Sequence, residues 1–259
     1  NKPIVWTLHD SFPFTGGCHY FYACKKYQDS CGNCPYLKSE RENDLTRKTW
    51  MKKQKAYSRL NINLVSPSNW LAECARQSTL FKNFPVTVIP NCIETDVFKP
   101  LGKDFARNLF GLDLDKIFLL VGAMNLLTDS NKGFYFLKDA LEILKQKSEL
   151  KIEILVLGSD QLKEDYLSGY KAHFLGQLYD DVSLACLYNA ADITLVTSLS
   201  ENLSYTIMES LSCGTPVVAF NVGGNADLID DRQNGYLASA YDTAQIAEGI
   251  LWSMENNKG

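Results

Sequence analysis

Two glutamates, Glu201 and Glu209, lie eight residues apart beside a predicted junction between a strand and a helix. A buried apolar strand is predicted to end at Thr197, and the spacing of apolar residues predicts a helix over Leu203–Leu211. The apolar stripe of that helix faces the core, so Glu209 is expected to project away from the packed side. Carboxylates in such a place can hold the hydroxyl groups of a sugar and of a ribose. Taken alone, two glutamates at this spacing are more often one solvated and one capping carboxylate.

The start of the same helix is a candidate phosphate site. Asn202 is expected to be its N-cap, and the first helical N–H groups, at Leu203 and Ser204, lack backbone partners and carry partial positive charge. In an open α/β sheet, ligands bind beyond the carboxyl ends of the strands, where this junction is expected to lie. Glu209 follows about 9 Å further along the helix.

Four of the eight cysteines fall within 17 residues, in the spacing C-x5-C-x6-C-x2-C. A terminal C-x2-C pair can direct two thiolates at one ion, so a structural zinc site is one hypothesis, with disulfides and free thiols as the alternatives. The four residues are Cys18, Cys24, Cys31 and Cys34, and His19 is a further candidate ligand. The others are expected to be small buried apolar residues: Cys74, Cys92, Cys186 and Cys213.

The elements that must position these residues alternate between strand and helix in the second half of the chain. Apolar runs predict six strands, at Ile117–Val121, Ile152–Leu157, His173–Leu175, Ile193–Thr197, Val217–Phe220 and Tyr236–Leu237. Helices are predicted at Gly133–Lys147, Leu162–Tyr166, Val182–Tyr188, Leu203–Leu211, Ala226–Ile229 and Thr243–Met254. This alternation predicts an α/β fold with a doubly wound parallel sheet and right-handed crossovers.

The first hundred residues are less regular. Strands are predicted at Ile4–Leu8, Ile62–Val65 and Val86–Ile89, and helices at Leu45–Leu60 and Trp70–Gln77. Pro90 and Pro100 bracket a turn-rich link, so residues 1–100 are expected to form one lobe and residues 101–259 another. Three strands make a thin sheet for an independent domain, and the chain opens on an apolar run without Met. The first lobe is therefore expected to be incomplete at its N-terminus.

Charge is distributed unevenly along the chain. Residues 1–60 contain 11 Lys and Arg against 5 Asp and Glu, whereas the whole chain has a net charge of −4. The basic residues are densest from Arg47 to Arg59, on a predicted helix that is either a solvated face or a peripheral contact with the inner membrane surface. The acidic remainder argues against nucleic acid as a partner. No apolar run approaches the ~18 residues of a membrane span, so a cytoplasmic protein is expected.

Several short motifs, taken in their order and spacing, resemble those of the family 4 retaining glycosyltransferases, which have the GT-B fold of two Rossmann-like lobes. The segment from Glu201 to Ala219 resembles the E-x7-E segment of that family. The other motifs are Ile89-Pro90-Asn91 with Phe98 and Pro100, Gly122 with Lys132-Gly133, Gly223-Gly224-Asn225-Ala226, Asn234-Gly235-Tyr236-Leu237, and His9-Asp10 after the first strand. The run from Phe12 to Tyr20 resembles a subgroup associated with exopolysaccharide, capsule or lipopolysaccharide assembly.

The resemblance implies a hexosyltransferase that moves a sugar from a UDP- or GDP-sugar to a glycan or lipid-linked acceptor in cell-surface polysaccharide synthesis. No metal would be needed for catalysis, because a lysine and a helix start can stabilise the departing diphosphate. Glu201 would bind sugar hydroxyls, Glu209 the ribose hydroxyls, and His9 the donor sugar from the other lobe. The resemblance thus implies His9 and Glu201 as catalytic residues, and Lys132, Asn202, Leu203, Ser204 and Glu209 as donor-binding residues.

Two alternatives stay open beside this transferase. The first is a nucleotide-sugar-binding module without catalysis, which is favoured by Ala123-Met124-Asn125 standing where the family usually has an Arg. The second is an epimerase or phosphorylase with the same two-lobed fold. A nicotinamide enzyme is disfavoured, because no predicted strand is followed by G-x-G-x-x-G and a later acid. By itself, the chain is expected to turn over little substrate.

Overall fold

The computed structural model describes residues 2–122, 129–158 and 167–256. The chain divides into two compact units, Asn1–Asn91 and Cys92–Gly259. Residues 92–100, which the sequence places in the first lobe, thus belong to the second unit, where Phe98 is buried against the ring of Tyr188. Within the described ranges, no helix is long and apolar enough to cross a membrane.

The first unit is built on a three-stranded parallel sheet in the order β1-β2-β3. Its strands are β1 (Ile4–Thr7), β2 (Ile62–Ser66) and β3 (Val86–Val88), and its helices are α1 (Leu45–Tyr57) and α2 (Asn69–Gln77). Apolar residues from the sheet, from α2 and from the long connection after β1 share one core, which includes Leu64, Leu71, Phe14 and Phe81. Burial of these large side chains is the main stabilising contribution to such a small unit.

The connection between β1 and α1 contains three short 3-10 helices, Phe12–Phe14, Lys26–Gln28 and Pro35–Leu37. Phe14, Phe21 and Tyr27 pack edge to face or tilted against one another and anchor this irregular segment to the core. The segment ends at Asp44, whose carboxylate caps α1 by accepting from the N–H groups of Thr46 and Arg47.

The second unit has a six-stranded parallel sheet in the order β6-β5-β4-β7-β8-β9. The strands are β4 (Ile117–Gly122), β5 (Ile152–Leu157), β6 (Ala172–Phe174), β7 (Ile193–Val196), β8 (Val217–Phe220) and β9 (Gly235–Ala238). The helices are α3 (Lys103–Leu109), α4 (Phe134–Lys147), α5 (Asp181–Ala190), α6 (Tyr205–Ser212) and α7 (Thr243–Asn256). The order reverses between β4 and β7, so the carboxyl ends of these two strands form the switch point at which ligands bind in such sheets.

Helices cover both faces of this sheet, as the continuous apolar strands require. One core lies between the sheet and α4 and α7, and contains Leu119, Leu141 and Ile250. A second core, on the side of α3 and α5, contains Phe118 and Leu187. The doubly wound sheet predicted from the sequence is therefore confirmed.

Some predicted elements differ in the structure. Helix α3 was not predicted, because its seven residues are too few to show a helical period. The short helix expected at Ala226–Ile229 is a 3-10 turn at Asn225–Asp227. The helix predicted at Leu162–Tyr166 lies outside the described residues.

Candidate functional site

A cleft opens at the carboxyl ends of β4 and β7. Its walls come from the end of β4, the 3-10 turn that ends at Lys132, Leu137 of α4, the loop after β7 and the start of α6. The polar residues that line it are Lys132, Thr197, Ser198, Glu201, Ser204 and Thr206. Lys132, Glu201 and Ser204 were each predicted from the sequence as site residues, and the fold brings them together at the switch point.

Lys132 and Glu201 form an ion pair in this cleft, with the ammonium nitrogen 3.5 Å from Oε1 of the carboxylate. The two side chains are 35% and 18% exposed, so both are partly shielded but still reachable from solvent. An ammonium that is loosely held by one carboxylate can turn to an incoming phosphate, and the freed carboxylate can then accept from hydroxyl groups.

The loop that carries Glu201 is held in place from the side of α4. The buried side chain of Asn131 donates from Nδ2 to the carbonyl of Ser200 at 2.9 Å, and the backbone carbonyl of Asn131 accepts from the N–H of Leu199 at 2.7 Å. The hydroxyl of Thr197 donates to the carbonyl of Lys132 at 3.1 Å. The sequence did not identify Asn131, although it stands directly before the predicted phosphate lysine.

A glycine turn fixes the same loop from the other side. The N–H of Gly224 donates to the carbonyl of Glu201 at 3.1 Å, and Gly223 has a φ of +57°. A Cβ on Gly223 would overlap that carbonyl oxygen, so this position requires glycine for close approach as well as for its backbone angle. The turn resembles the Gly-Gly motif noted in the sequence and acts here by positioning the Glu201 backbone.

Helix α6 starts two residues later than expected. Its N-cap is Ser204, not Asn202, and the side chain of Ser204 makes no capping hydrogen bond. Asn202 and Leu203 lie in the loop before the helix, where Leu203 is buried. The first-turn N–H groups of α6 therefore carry partial positive charge beside the cleft without a side-chain cap.

Glu209 does not project away from the packed side of α6 as predicted. It is partly buried against α5, where the hydroxyl of Tyr188 donates to its Oε2 at 2.8 Å. Burial raises the pKa of Glu209, and the Tyr188 hydrogen bond offsets only part of that rise. Glu209 does not line the cleft around Lys132, and its role as a ribose ligand stays a prediction. Tyr188, which is 2% exposed, was missed because only the packing of α5 on α6 gives it a polar partner.

His9 lies in the first unit, two residues after the end of β1, and is exposed. The carboxylate of the neighbouring Asp10 accepts from Nδ1 of His19 at 2.6 Å. His19, a candidate metal ligand, is thus engaged with a carboxylate and stacks on Phe12. The hydrogen bond predicted between His9 and a donor sugar stays a prediction.

The four clustered cysteines are free thiols, as are the other four. Among the residues that the structure describes, no group of three or more His, Cys, Asp or Glu side chains could hold a metal ion. Burial, together with the neighbouring thiols of Cys34, Cys31 and Cys24, raises the pKa of Cys18 to about 11. The structure supports neither zinc nor disulfides here. Cys92 is exposed, against expectation, whereas Cys74, Cys186 and Cys213 are buried as predicted.

The fold and the cleft together define an α/β protein of the type that binds its ligand at the switch point of a doubly wound sheet. The chain belongs to the family described as "Glycosyl transferases group 1", which matches residues 115–256.

Curated relatives support the same class. A D-inositol 3-phosphate glycosyltransferase from Paenarthrobacter aurescens is 28% identical over 181 residues, which are 64% of this chain and 42% of that protein. A UDP-N-acetylglucosamine–peptide N-acetylglucosaminyltransferase GtfA subunit from Streptococcus pneumoniae is 30% identical over 137 residues, 45% of this chain and 27% of that protein. The chain thus spans less than half the length of these relatives.

Solved structures with a similar fold are GT-B glycosyltransferases. Sucrose-phosphate synthase from Thermosynechococcus elongatus has a TM-score of 0.68 at 23% identity and covers 97% of this chain and 58% of its own. Alr3699/HepE from Anabaena, solved in complex with UDP, has a TM-score of 0.68 at 19% identity. That match covers 99% of this chain and 64% of the Anabaena chain. At this identity the likeness shows the GT-B type of α/β fold alone.

Proposed function

We propose that this chain contains the donor site of a metal-independent, retaining hexosyltransferase that uses a UDP- or GDP-sugar. The observation that carries the proposal is the Lys132–Glu201 pair at the switch point, beside the start of α6, where the N-cap Ser204 makes no side-chain capping hydrogen bond. A diphosphate placed there would meet an ammonium and a helix N-terminus, the two groups that best stabilise an anion without a metal.

In this proposal, Lys132 binds the diphosphate and leaves Glu201 free to accept hydrogen bonds from sugar hydroxyls. As the bond to the sugar breaks, negative charge grows on the departing diphosphate, and Lys132 and the α6 N–H groups stabilise it more strongly than in the ground state. Glu209, held by Tyr188, is proposed to bind the ribose hydroxyls. Rigid placement of the donor lowers the barrier because the reacting atoms no longer have to be ordered.

The acceptor is proposed to be a glycan or a lipid-linked sugar in cell-surface polysaccharide synthesis. A cytoplasmic location at the inner face of the cell membrane is part of the proposal. It is supported by the exposed basic face of α1, a helix that contains five Lys and Arg and no acidic residue.

Calorimetric titration with UDP and with GDP tests the donor site. Lys132→Ala is expected to weaken binding roughly 10- to 100-fold, because a hydrogen bond to a charged group contributes about 1.5–3 kcal/mol. Lys147→Ala is the matched control, since Lys147 is an exposed lysine in the last turn of α4. Equal affinity of the two variants for both nucleotides would remove the assignment of the site.

The competing module without catalysis is separated from the transferase by donor turnover. In the full-length protein, a transferase is expected to hydrolyse its nucleotide sugar slowly when no acceptor is present, and Glu201→Gln should abolish that hydrolysis while UDP still binds. Nucleotide binding with no turnover of any donor in a panel of UDP- and GDP-sugars would favour the module. Release of a sugar phosphate on adding inorganic phosphate would favour a phosphorylase instead.

A further inference from the structure

A second concavity lies on the first unit, and none of the residues that line it belongs to a strand. It is formed by the irregular segment after β1 and by the first turns of α1, and we call it the aromatic groove. Its walls include Phe12, Tyr20, Tyr36, Leu37 and Leu45, each between 41% and 67% exposed. Exposed apolar side chains that converge on one concave surface mark a place where something binds.

The rings of the groove are arranged as two sets. Phe12 stacks on His19 with centroids 5.1 Å apart, while Tyr22 lies 6.1 Å from Tyr20 and 6.0 Å from Tyr36. The hydroxyl of Tyr36 donates to the carbonyl of Phe21 at 2.8 Å, which fixes its ring while leaving one face open. The groove is therefore ordered before anything binds, so little side-chain entropy is lost on binding.

Positive charge borders the groove on the side of α1. Leu45 and Thr49 line the groove, and Lys48 and Lys52 follow each of them by three residues, which places them on the adjoining helix surface. Both lysines are exposed. The ammonium of Lys53 stands 3.7 Å above the centroid of the Phe12 ring and donates to the carbonyls of Phe12 and Thr15. An apolar surface with a cationic border is complementary to a lipid bilayer, whose apolar interior is bordered by anionic headgroups.

The residues that line the groove fit a membrane surface better than a glycan. Carboxylates and amides bind hydroxyl groups with two polar atoms each, and no Asp, Glu, Asn or Gln is among the residues that line the groove. Tyrosine rings at the level of lipid headgroups, with lysines beside them, are instead the arrangement found at membrane interfaces.

We infer that the aromatic groove and the adjoining lysines of α1 bind the surface of a bilayer that contains anionic lipids. The inference deepens the proposed membrane location by naming the surface that makes the contact. Tyr20, Tyr36, Leu37 and Leu45 enter the interface between headgroups and acyl chains, and Lys48 and Lys52 bind the headgroup phosphates. Such a contact orients the first unit towards a lipid surface.

Sedimentation with vesicles tests the inference. The chain is expected to bind vesicles of phosphatidylglycerol and phosphatidylcholine at least tenfold more tightly than vesicles of phosphatidylcholine alone. Lys48→Glu/Lys52→Glu should lose at least tenfold of that binding, and the control Lys147→Glu/Lys151→Glu, with the same change in net charge, should keep it. The two control lysines are exposed residues of the second unit.

A second pair of variants separates insertion from charge attraction. Leu37→Ser/Leu45→Ser removes two exposed apolar side chains without changing charge and should also weaken binding at least tenfold, whereas Leu109→Ser/Leu114→Ser should not. Each variant is also titrated with UDP. The inference is overturned if the groove variants bind vesicles as tightly as their controls, or if anionic lipid brings no gain. If the wild-type chain binds vesicles but does not bind UDP, the proposed donor site is refuted instead.

Discussion

The substitution of Gly133 tests whether the Glu201 loop is positioned by backbone contact. Gly133 has a φ of +65°, and a Cβ placed there would overlap the carbonyl oxygen of Thr197 and lie 3.3 Å from Cδ2 of Leu199. Gly111 is a matched control, because its φ is +63° and nothing lies within 4 Å of the Cβ position. Gly133→Ala and Gly111→Ala therefore impose the same backbone strain and differ only in the overlap.

The magnitudes follow from this difference. A left-handed backbone costs a non-glycine residue about 1–2 kcal/mol, which applies to both variants. The overlap forces the Thr197–Glu201 loop to move, and overpacking of this kind costs about 1–3 kcal/mol more. For a unit of this size, each kcal/mol lowers Tm by roughly 2–4 °C. Gly111→Ala should thus lose about 2–8 °C and Gly133→Ala about 2–12 °C beyond that.

The assay is thermal unfolding, followed by calorimetric titration of UDP well below both transitions. Gly133→Ala should also bind UDP more weakly, because Gly133 directly follows Lys132 and the overlap disturbs the hydrogen bond that the Thr197 hydroxyl donates to the Lys132 carbonyl, while Gly111→Ala should bind it normally. The same loss of Tm in both variants would show that the overlap is relieved at no cost. A destabilised Gly133→Ala with normal UDP affinity would show that the loop does not position the donor site.

The remaining predictions concern two carboxylates. Tyr188→Phe should cost about 1–3 kcal/mol of unfolding free energy, because the carboxylate of Glu209 stays partly buried without its donor. The folded-state pKa of Glu209 is raised, so its stabilising contribution is present at low pH and is lost as pH rises through that pKa. Burial raises the pKa of Asp44, but hydrogen bonds from Thr46, Cys34 and Arg47 outweigh burial and lower it, so the stability that Asp44 contributes is lost as pH falls through its folded pKa.

Thermal unfolding across a pH series measures the last two effects, and a matched variant isolates each. Glu209→Gln should flatten the decline of Tm above the ordinary glutamate pKa, and Asp44→Asn should flatten the decline at acid pH while lowering Tm near neutrality. Curves that run parallel to the wild type would contradict the pKa shifts. Tyr188→Phe combined with Glu209→Gln should be less destabilised than the sum of the single variants, and simple additivity would show that the two side chains are not coupled.

Local patterns were enough to predict most of the second unit. The apolar runs around Leu119, Ile154 and Val218 stand out because strands buried on both faces admit few polar residues. Short or irregular elements could not be predicted from such patterns, and α3, with seven residues, is an example. The connection that carries Phe12 and Tyr36 has no period at all, so the aromatic groove was beyond prediction.

Polar partners were predicted less well than elements. Glu209 was predicted to be exposed, because the apolar stripe of the predicted helix Leu203–Leu211 was taken to consist of Leu203, Ile207 and Leu211 alone. In the structure α5 packs beside α6, so Glu209 meets Tyr188, which is 21 residues away in the chain. No property of the α6 sequence alone specifies which helix will be its neighbour.

What the sequence determined by itself was the alternation of strand and helix, and the presence of a lysine in the connection after one strand and of a glutamate in the loop after another. Only the tertiary structure decided that these two strands are neighbours, which brings Lys132 and Glu201 within 3.5 Å across 69 residues of chain. The physical reason is the distance along the chain over which each interaction acts. Periodicity and capping express the burial and backbone hydrogen bonding of nearby residues, whereas strand order results from packing the whole apolar surface at once.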